Sequence, residues 1–471
     1  MRQRHIAAMQ DLTTGSITRH LLTTTSYMLV TMVFQTLYFL IDLYWVGRLG
    51  TAAVAGVGIA GNLSFIVLAI SQMLGVGTTT VVAHACGRKN RDDAKHLFNQ
   101  SQGLAVVTGL VFVAVAMTGR TGYSRSLSAD GETMTLANQY LLWFIPAMAL
   151  QFPFGAMSAA LRGTGNFRPS MIVASATVII NMVLAPFLIF GWGTGRAFGV
   201  AGAAMSTLIS VVIGTVWLAA YFLPKEAFLH FSFKHWWPEL AQWKRILAIG
   251  LPAGFEFAMM ALYQFLVYTV ARPFGAGAQA GFGIGMRVIQ AGFMPVVALG
   301  FSVSPVAGQN FGARLGDRVR ATFKDGAAMA VGYQIFFIII CQIAPVAMVR
   351  VFSKDPAVLA VGEEYLRVIS WSFVASGLIF VASSMFQAMG NTVPSLIASG
   401  TRMVVLAVPV MLLARLSSFR LDWVWYLSLT TSYFQLGLAL LLLRREFVRR
   451  LDFGVPAPSI SIQAPVAETV S

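Results

Sequence analysis

Gly165-Asn166-Phe167-Arg168-Pro169-Ser170 returns 225 residues later as Gly390-Asn391-Thr392-Val393-Pro394-Ser395. The same offset, without a gap, pairs Gly50 with Gly275, Gly56 with Gly281, Gly58 with Gly283 and Gly75 with Gly300. It continues through Gly87 and Gly312, Asp92 and Asp317, and Phe98 and Phe323. A duplication of this length in an apolar chain predicts two homologous bundles, an architecture from which transporters are built.

Composition sets the solvent. Of 471 residues 57% are hydrophobic and 11% charged, with 43 glycines, whereas soluble domains are roughly 25% charged. The chain reads as an all-α integral membrane protein, glycine being favoured where membrane helices pack closely. Cys86 and Cys341 are too few for a disulfide framework or a cysteine metal cluster. The net charge of +15 is spread over loops between apolar stretches, which argues against nucleic acid and for contact with a lipid bilayer.

Twelve transmembrane helices are expected, over 18–46, 52–84, 97–118, 136–160, 168–190 and 199–223, then 244–271, 277–309, 323–349, 360–386, 394–414 and 421–443. Residues 1–223 form a six-helix bundle with a cytoplasmic lead-in and 224–243 a cytoplasmic linker. Residues 244–443 form the second bundle, and 444–471 a disordered cytoplasmic tail. With the N-terminus inside, Lys and Arg divide 21 to 9 between inner and outer segments. This places both termini in the cytoplasm. Six spans per half make the bundles parallel repeats around an axis along the membrane normal, with a cleft between them.

Ionisable groups inside the bilayer are costly and mark function. Asp42 lies in the first span, where the repeat has Val267; a desolvated carboxylate there can bind and release a proton, or else pair with Arg48. Glu256, where the repeat has Thr31, follows Pro252 by one turn; it is a second candidate, or is neutralised by Lys244 or Arg245. Arg287 is placed to pair with Glu256, and Arg402 to tie helices together. Asn181, where the repeat has Leu406, either shares a proton or ion with Asp42 or joins two helices. Gln35, Tyr38 and Phe39 in the first span, and Met259, Tyr263 and Gln264 in the seventh, form a candidate substrate lining with Arg287. Met and aromatic surfaces suit varied apolar ligands and organic cations. The six histidines form no intramembrane metal cluster, and no Gly-x-x-x-x-Gly-Lys-Ser/Thr loop is present, so neither a metal cofactor nor ATP hydrolysis is expected.

The ordered motifs resemble the multidrug and toxic compound extrusion (MATE) transporters from Asp11 to about Leu443. They include Asp11-Leu12-Thr13-Thr14-Gly15-Ser16-Ile17, Val46-Gly47-Arg48-Leu49-Gly50, Leu161-Arg162-Gly163-Thr164-Gly165-Asn166, Gly250-Leu251-Pro252 and Val306-Ala307-Gly308-Gln309-Asn310-Phe311-Gly312-Ala313. The resemblance implies antiport of drug-like, often cationic compounds against protons or sodium, with no enzymatic activity. It places Asp42 and Asn181 in the N-lobe cation site. Relatives often add an acid or Asn one turn after that Asn, where this chain has Ala185; a sodium site loses an oxygen, which favours the proton. Glu256 resembles the seventh-helix acid of DinF-like members, so the resemblance is to a DinF-like rather than a NorM-like transporter. A monomer in a bacterial inner membrane is the expected form. A sodium-coupled antiporter and a flippase for lipid-linked oligosaccharides of related fold are the alternatives.

Overall fold

The computed structural model describes residues 9–193, 195–232, 236–416 and 418–453; most of the expected tail lies outside them. The N-lobe holds α1 (Ile17–Gly47), α2 (Thr51–Gly87), α3 (Arg91–Leu127), α4 (Gly131–Gly163), α5 (Arg168–Phe190) and α6 (Gly199–Ala220). The C-lobe holds α7 (Leu240–Ala271), α8 (Ala276–Gly312), α9 (Gly316–Ile343), α10, α11 (Val393–Leu413) and α12 (Asp422–Arg450). α10 is a pair, Pro356–Ile369 and Ser372–Ala388, bent by 56°. With that pair as one span, twelve helices among the described residues are long and apolar enough to cross a membrane, in the expected order. α12 runs through the basic stretch Arg444–Arg450, expected to be a disordered tail. Arg450 fixes it there, pairing with Glu446 at 2.9 Å and donating to the Met389 carbonyl at 2.8 Å.

The repeated turn shows how sequence becomes geometry. After α4 the amide of Asn166 donates to Leu161 O and that of Gly165 to Arg162 O. This is the helix stop that needs a left-handed residue, and Gly165 supplies it with φ of 78°. Pro169 then starts α5. The copy behaves alike: Asn391 donates to Phe386 O and Gly390 to Gln387 O, Gly390 has φ of 73°, and Pro394 starts α11.

The two lobes are not separate along the chain. Ile17 and Leu21 at the start of α1, and Leu12 just ahead of it, are buried in a core built from α8 to α12. Reciprocally Ile246, Ile249 and Ala253 of α7 are buried in the N-lobe core. Each lobe's first helix is therefore shared with the other lobe. The segment before α1 reinforces this exchange. Leu12 N donates to Gln309 Oε1 at 3.0 Å, and Gln309 Nε2 donates to Gly163 O at 2.9 Å. One α8 side chain thus ties both lobes.

Close backbone approaches complete the seam. A Cβ on Gly87 of α2 would enter the Gln309 carbonyl of α8, and a Cβ on its repeat partner Gly312 would enter the His84 carbonyl. Gly77 meets Ile246 in the same way, and Gly250 meets Met73. These contacts lie toward the ends where α2 and α8 finish and α1 and α7 begin. At the opposite end the half-helix Thr51–Gly61 packs on its own lobe, and Gly50, Gly58, Gly61 and Gly275 have nothing near a would-be Cβ. The cleft opens on the side away from the termini.

Gly87→Val and Gly312→Val should each destabilise the protein by about 1–3 kcal/mol through overpacking of the seam. Gly58→Ala should leave stability unchanged. Thermal unfolding of the purified chain in detergent checks this; equal midpoints for all three variants would remove the glycines from the seam.

Candidate functional site

The two shared helices carry the two acids. Asp42 lies near the far end of α1. Its carboxylate shares its surroundings with the phenols of Tyr38, one turn earlier, and Tyr140 of α4. Asp42 Oδ1 is shut off from solvent and has no hydrogen-bond partner among the described residues. Trp45, next on the helix, packs edge-on against Phe190 and Trp192. Arg48 does not reach the acid: it donates to Tyr44 Oη at 2.6 Å.

A chain of hydroxyls joins this region to Asn181. Tyr38 Oη lies 3.1 Å from Thr207 Oγ1 of α6, and Asn181 Nδ2 of α5 donates to Thr207 Oγ1 at 3.2 Å and Ser206 Oγ at 3.3 Å. Asn181 is 3% exposed and Ala185 is buried one turn further on. Asn181 thus joins α5 to α6 and reaches α1 through Thr207 and Tyr38.

Glu256 has a different environment. Ser383 Oγ of α10 donates to its Oε2 at 2.9 Å, and Ser395 Oγ of α11 stands 3.0 Å from both carboxylate oxygens. Ser399 Oγ is 3.3 Å from Oε1. The network continues: Gln435 Nε2 of α12 donates to Ser399 at 3.1 Å, and Arg402 donates to Gln435 Oε1 at 3.4 Å. Arg402 also lies over the Tyr263 ring at 5.6 Å, and Tyr263 Oη is 3.3 Å from Ser428 Oγ. Tyr38 and Tyr263 are repeat partners, each bonded to a hydroxyl on the last helix of its lobe.

The expected pair of Glu256 with Arg287 does not form, nor does a pair with Lys244 or Arg245. The carboxylate turns inward to three serines. Arg287 is exposed and makes no ion pair among the described residues. It lies seven residues before Met294, which meets Thr36 of α1 at 3.8 Å, and so faces the N-lobe.

On α1, Gln35 and Phe39 (66% exposed) share a stripe with Met28 and Met32. The opposite stripe of Val30, Val33, Leu37 and Leu40 is exposed and wholly apolar, as a lipid-facing surface should be. Gln264 holds the position on α7 that Phe39 holds on α1. Met259 instead lies on the inward stripe with Glu256 and Tyr263.

Sequence reasoning missed Tyr140, Ser206, Thr207 and the serine cage. The signal available was the spacing of Ser395, Ser399 and Arg402, which puts three polar groups on one face of an apolar helix.

Two lobes sharing their first helices, with one carboxylate on each shared helix, define a two-lobed membrane transport protein. The MatE family profile matches residues 28–187 and 252–413, one match in each lobe. The chain belongs to this family, whose members are transporters and not enzymes. It is 25% identical over 366 residues to the probable multidrug resistance protein NorM of Thermotoga maritima, covering 78% of each chain. It is 26% identical over 368 residues to the multidrug export protein MepA of Staphylococcus haemolyticus, covering 77% of this chain and 80% of that one. Among solved structures, it superposes with a TM-score of 0.85 and 23% identity on an outward-facing multidrug resistance MATE family transporter of the MOP superfamily, over 93% and 97% of the two chains. A MOP superfamily transporter from Pyrococcus furiosus, described as having a binding pocket of reverse polarity, gives 0.86 at 22% identity over 94% and 98%.

Ser395→Ala should cost about 1.5–3 kcal/mol, the worth of a hydrogen bond to a charged group. In a double-mutant cycle with Glu256→Gln the two changes should couple by at least about 0.5 kcal/mol. Additive stabilities by thermal unfolding would disconnect Ser395 from the acid.

Proposed function

We propose that this protein exports organic, often cationic, compounds by antiport against protons. The two lobes rock about the seam to expose the cleft alternately to each side. The observation that carries the reading is the placement of Asp42: a carboxylate with an unpartnered oxygen on one of the two helices that belong to both lobes. With an ionised Asp42, an uncompensated charge sits in an aromatic pocket. Protonation removes it, and α1 can then pack differently against α5 and α6. Because the start of α1 is built into the C-lobe, a shift at Asp42 alters the fit between lobes. A substrate favours one state only through its differential affinity for the two.

Ligand count supports the proton as the coupling ion. Hard cations take six or more oxygens. Around Asp42 the hydroxyls of Tyr38 and Thr207 are already joined to each other and to Asn181, and Ala185 adds none. This favours a proton over sodium. Glu256, held by its three serines, is a second protonation site in the same scheme. The multidrug names of NorM and MepA support the substrate class. Gln35, Phe39, Gln264 and Arg287 line the path in this reading. In this reading the protein is DinF-like, monomeric and bacterial inner-membrane, with both termini cytoplasmic and the side away from the termini outside.

In proteoliposomes with an imposed pH gradient, the wild type should move a cationic dye in exchange for protons, with no requirement for sodium. Asp42→Asn should lower this exchange by at least about tenfold, in line with loss of a proton carrier. Undiminished dye-coupled proton flux in Asp42→Asn would sink the assignment, and strict dependence on sodium would replace the proton with that ion.

A further inference from the structure

One cation at the floor of the cleft stands without a partner. Arg162 is the penultimate residue of α4 and is half-buried where the lobes meet. A basic residue in a last turn commonly bonds the final carbonyls of its helix. Here the turn has taken them: Thr164 N donates to Ala160 O, Asn166 N to Leu161 O and Gly165 N to Arg162 O. The guanidinium makes no hydrogen bond or ion pair among the described residues and rests over the Phe301 ring of the opposite lobe at 5.8 Å.

It points into a small cavity between the lobes, lined by Gln72 and Thr79 of α2, Phe301 and Ser304 of α8, and Gln387 of α10. No acid lines it. Its volume of about 10 Å³ suits one water-sized group. Guanidinium keeps its proton and carries five N–H donors. Two glutamine amides and a serine hydroxyl line it with Arg162, and each can turn a donor toward a bound group. A cation that pairs with no carboxylate, among neutral groups able to donate, is an environment that suits an anion.

We propose that this cavity binds a compact monoanion, either a halide or one oxygen of a carboxylate on a transported compound. The site stands apart from the choice of coupling cation. Its walls come from both lobes, so it is complete only while the seam is closed. An occupying anion therefore favours the state in which the cleft opens away from the termini.

The test uses the purified full chain in detergent, titrated with sodium chloride, sodium bromide or sodium gluconate at constant ionic strength, with thermal unfolding as the readout. Chloride and bromide should stabilise saturably and gluconate should not. Arg162→Gln should weaken the apparent affinity at least about tenfold, the loss of a charge-assisted hydrogen-bonding partner, and Arg162→Lys should keep a weaker response. Crystals grown in bromide should show an anomalous peak within hydrogen-bond reach of Arg162, a readout that needs no variant. Benzoate that competes with chloride identifies a carboxylate as a fitting ligand; failure to compete confines the site to halides. Equal stabilisation by chloride and gluconate, an unchanged chloride response in Arg162→Gln, or bromide crystals without a peak at Arg162 would each overturn the proposal.

Discussion

The fold depends on a backbone constraint at the seam. Gly87 and Gly312 of α2 and α8, and Gly77 and Gly250 of α2 and α7, let helix backbones of opposite lobes touch where any side chain would collide. Small residues are how membrane helices gain packing energy, since lipid gives no hydrophobic drive for association. The approach also lets Gln309 reach across to both Leu12 and Gly163. Without it the exchanged starts of α1 and α7 could not lie in each other's cores.

That exchange gives the acids their meaning. Most helices have their cores within one lobe, whereas α1 and α7 are buried in both. Asp42 and Glu256 sit on these two. In the proposed mechanism a change of charge on α1 or α7 acts on a rod whose far end is fixed in the opposite lobe, so that local repacking is passed on as relative motion of the lobes. Packed interfaces of this kind switch between discrete arrangements rather than deform smoothly.

Much of this was legible in the sequence. The 225-residue echo gave two bundles, the Gly-Asn-x-x-Pro-Ser turn appears twice with the same hydrogen bonds, and the shared glycines are scaffold, as Gly87 and Gly312 demonstrate. Asp42, Asn181 and Glu256 stood out because the repeat lacks them. What could not be read was which groups meet. The serines around Glu256 are 127 to 143 residues away in sequence, and serine in a membrane helix is common enough to pass unnoticed. Arg287 was matched to Glu256 on charge alone, but helical phase turns one inward to its lobe and the other outward. Arg162 closes a helix next to a turn, and only the turn's own hydrogen bonds reveal that the capping role open to such a residue is already filled.

The failure of the repeat has a depth as well as an identity. Glu256 corresponds to Thr31, eleven residues before Asp42, or roughly 16 Å along the helix axis. An axis along the membrane normal exchanges the lobes but keeps the two sides of the membrane distinct, so symmetry alone would place both acids at one level. The chain instead places Asp42 toward the open end of the cleft. Glu256 lies two residues past Gly254, whose would-be Cβ stands 3.0 Å from the Ala69 carbonyl of α2. The two carboxylates thus stand at different depths and in different surroundings, Asp42 beside Tyr38 and Tyr140 and Glu256 among the serines of α10 and α11. In the proposed mechanism two acids at one depth would report a single event, whereas acids at two depths can change charge separately.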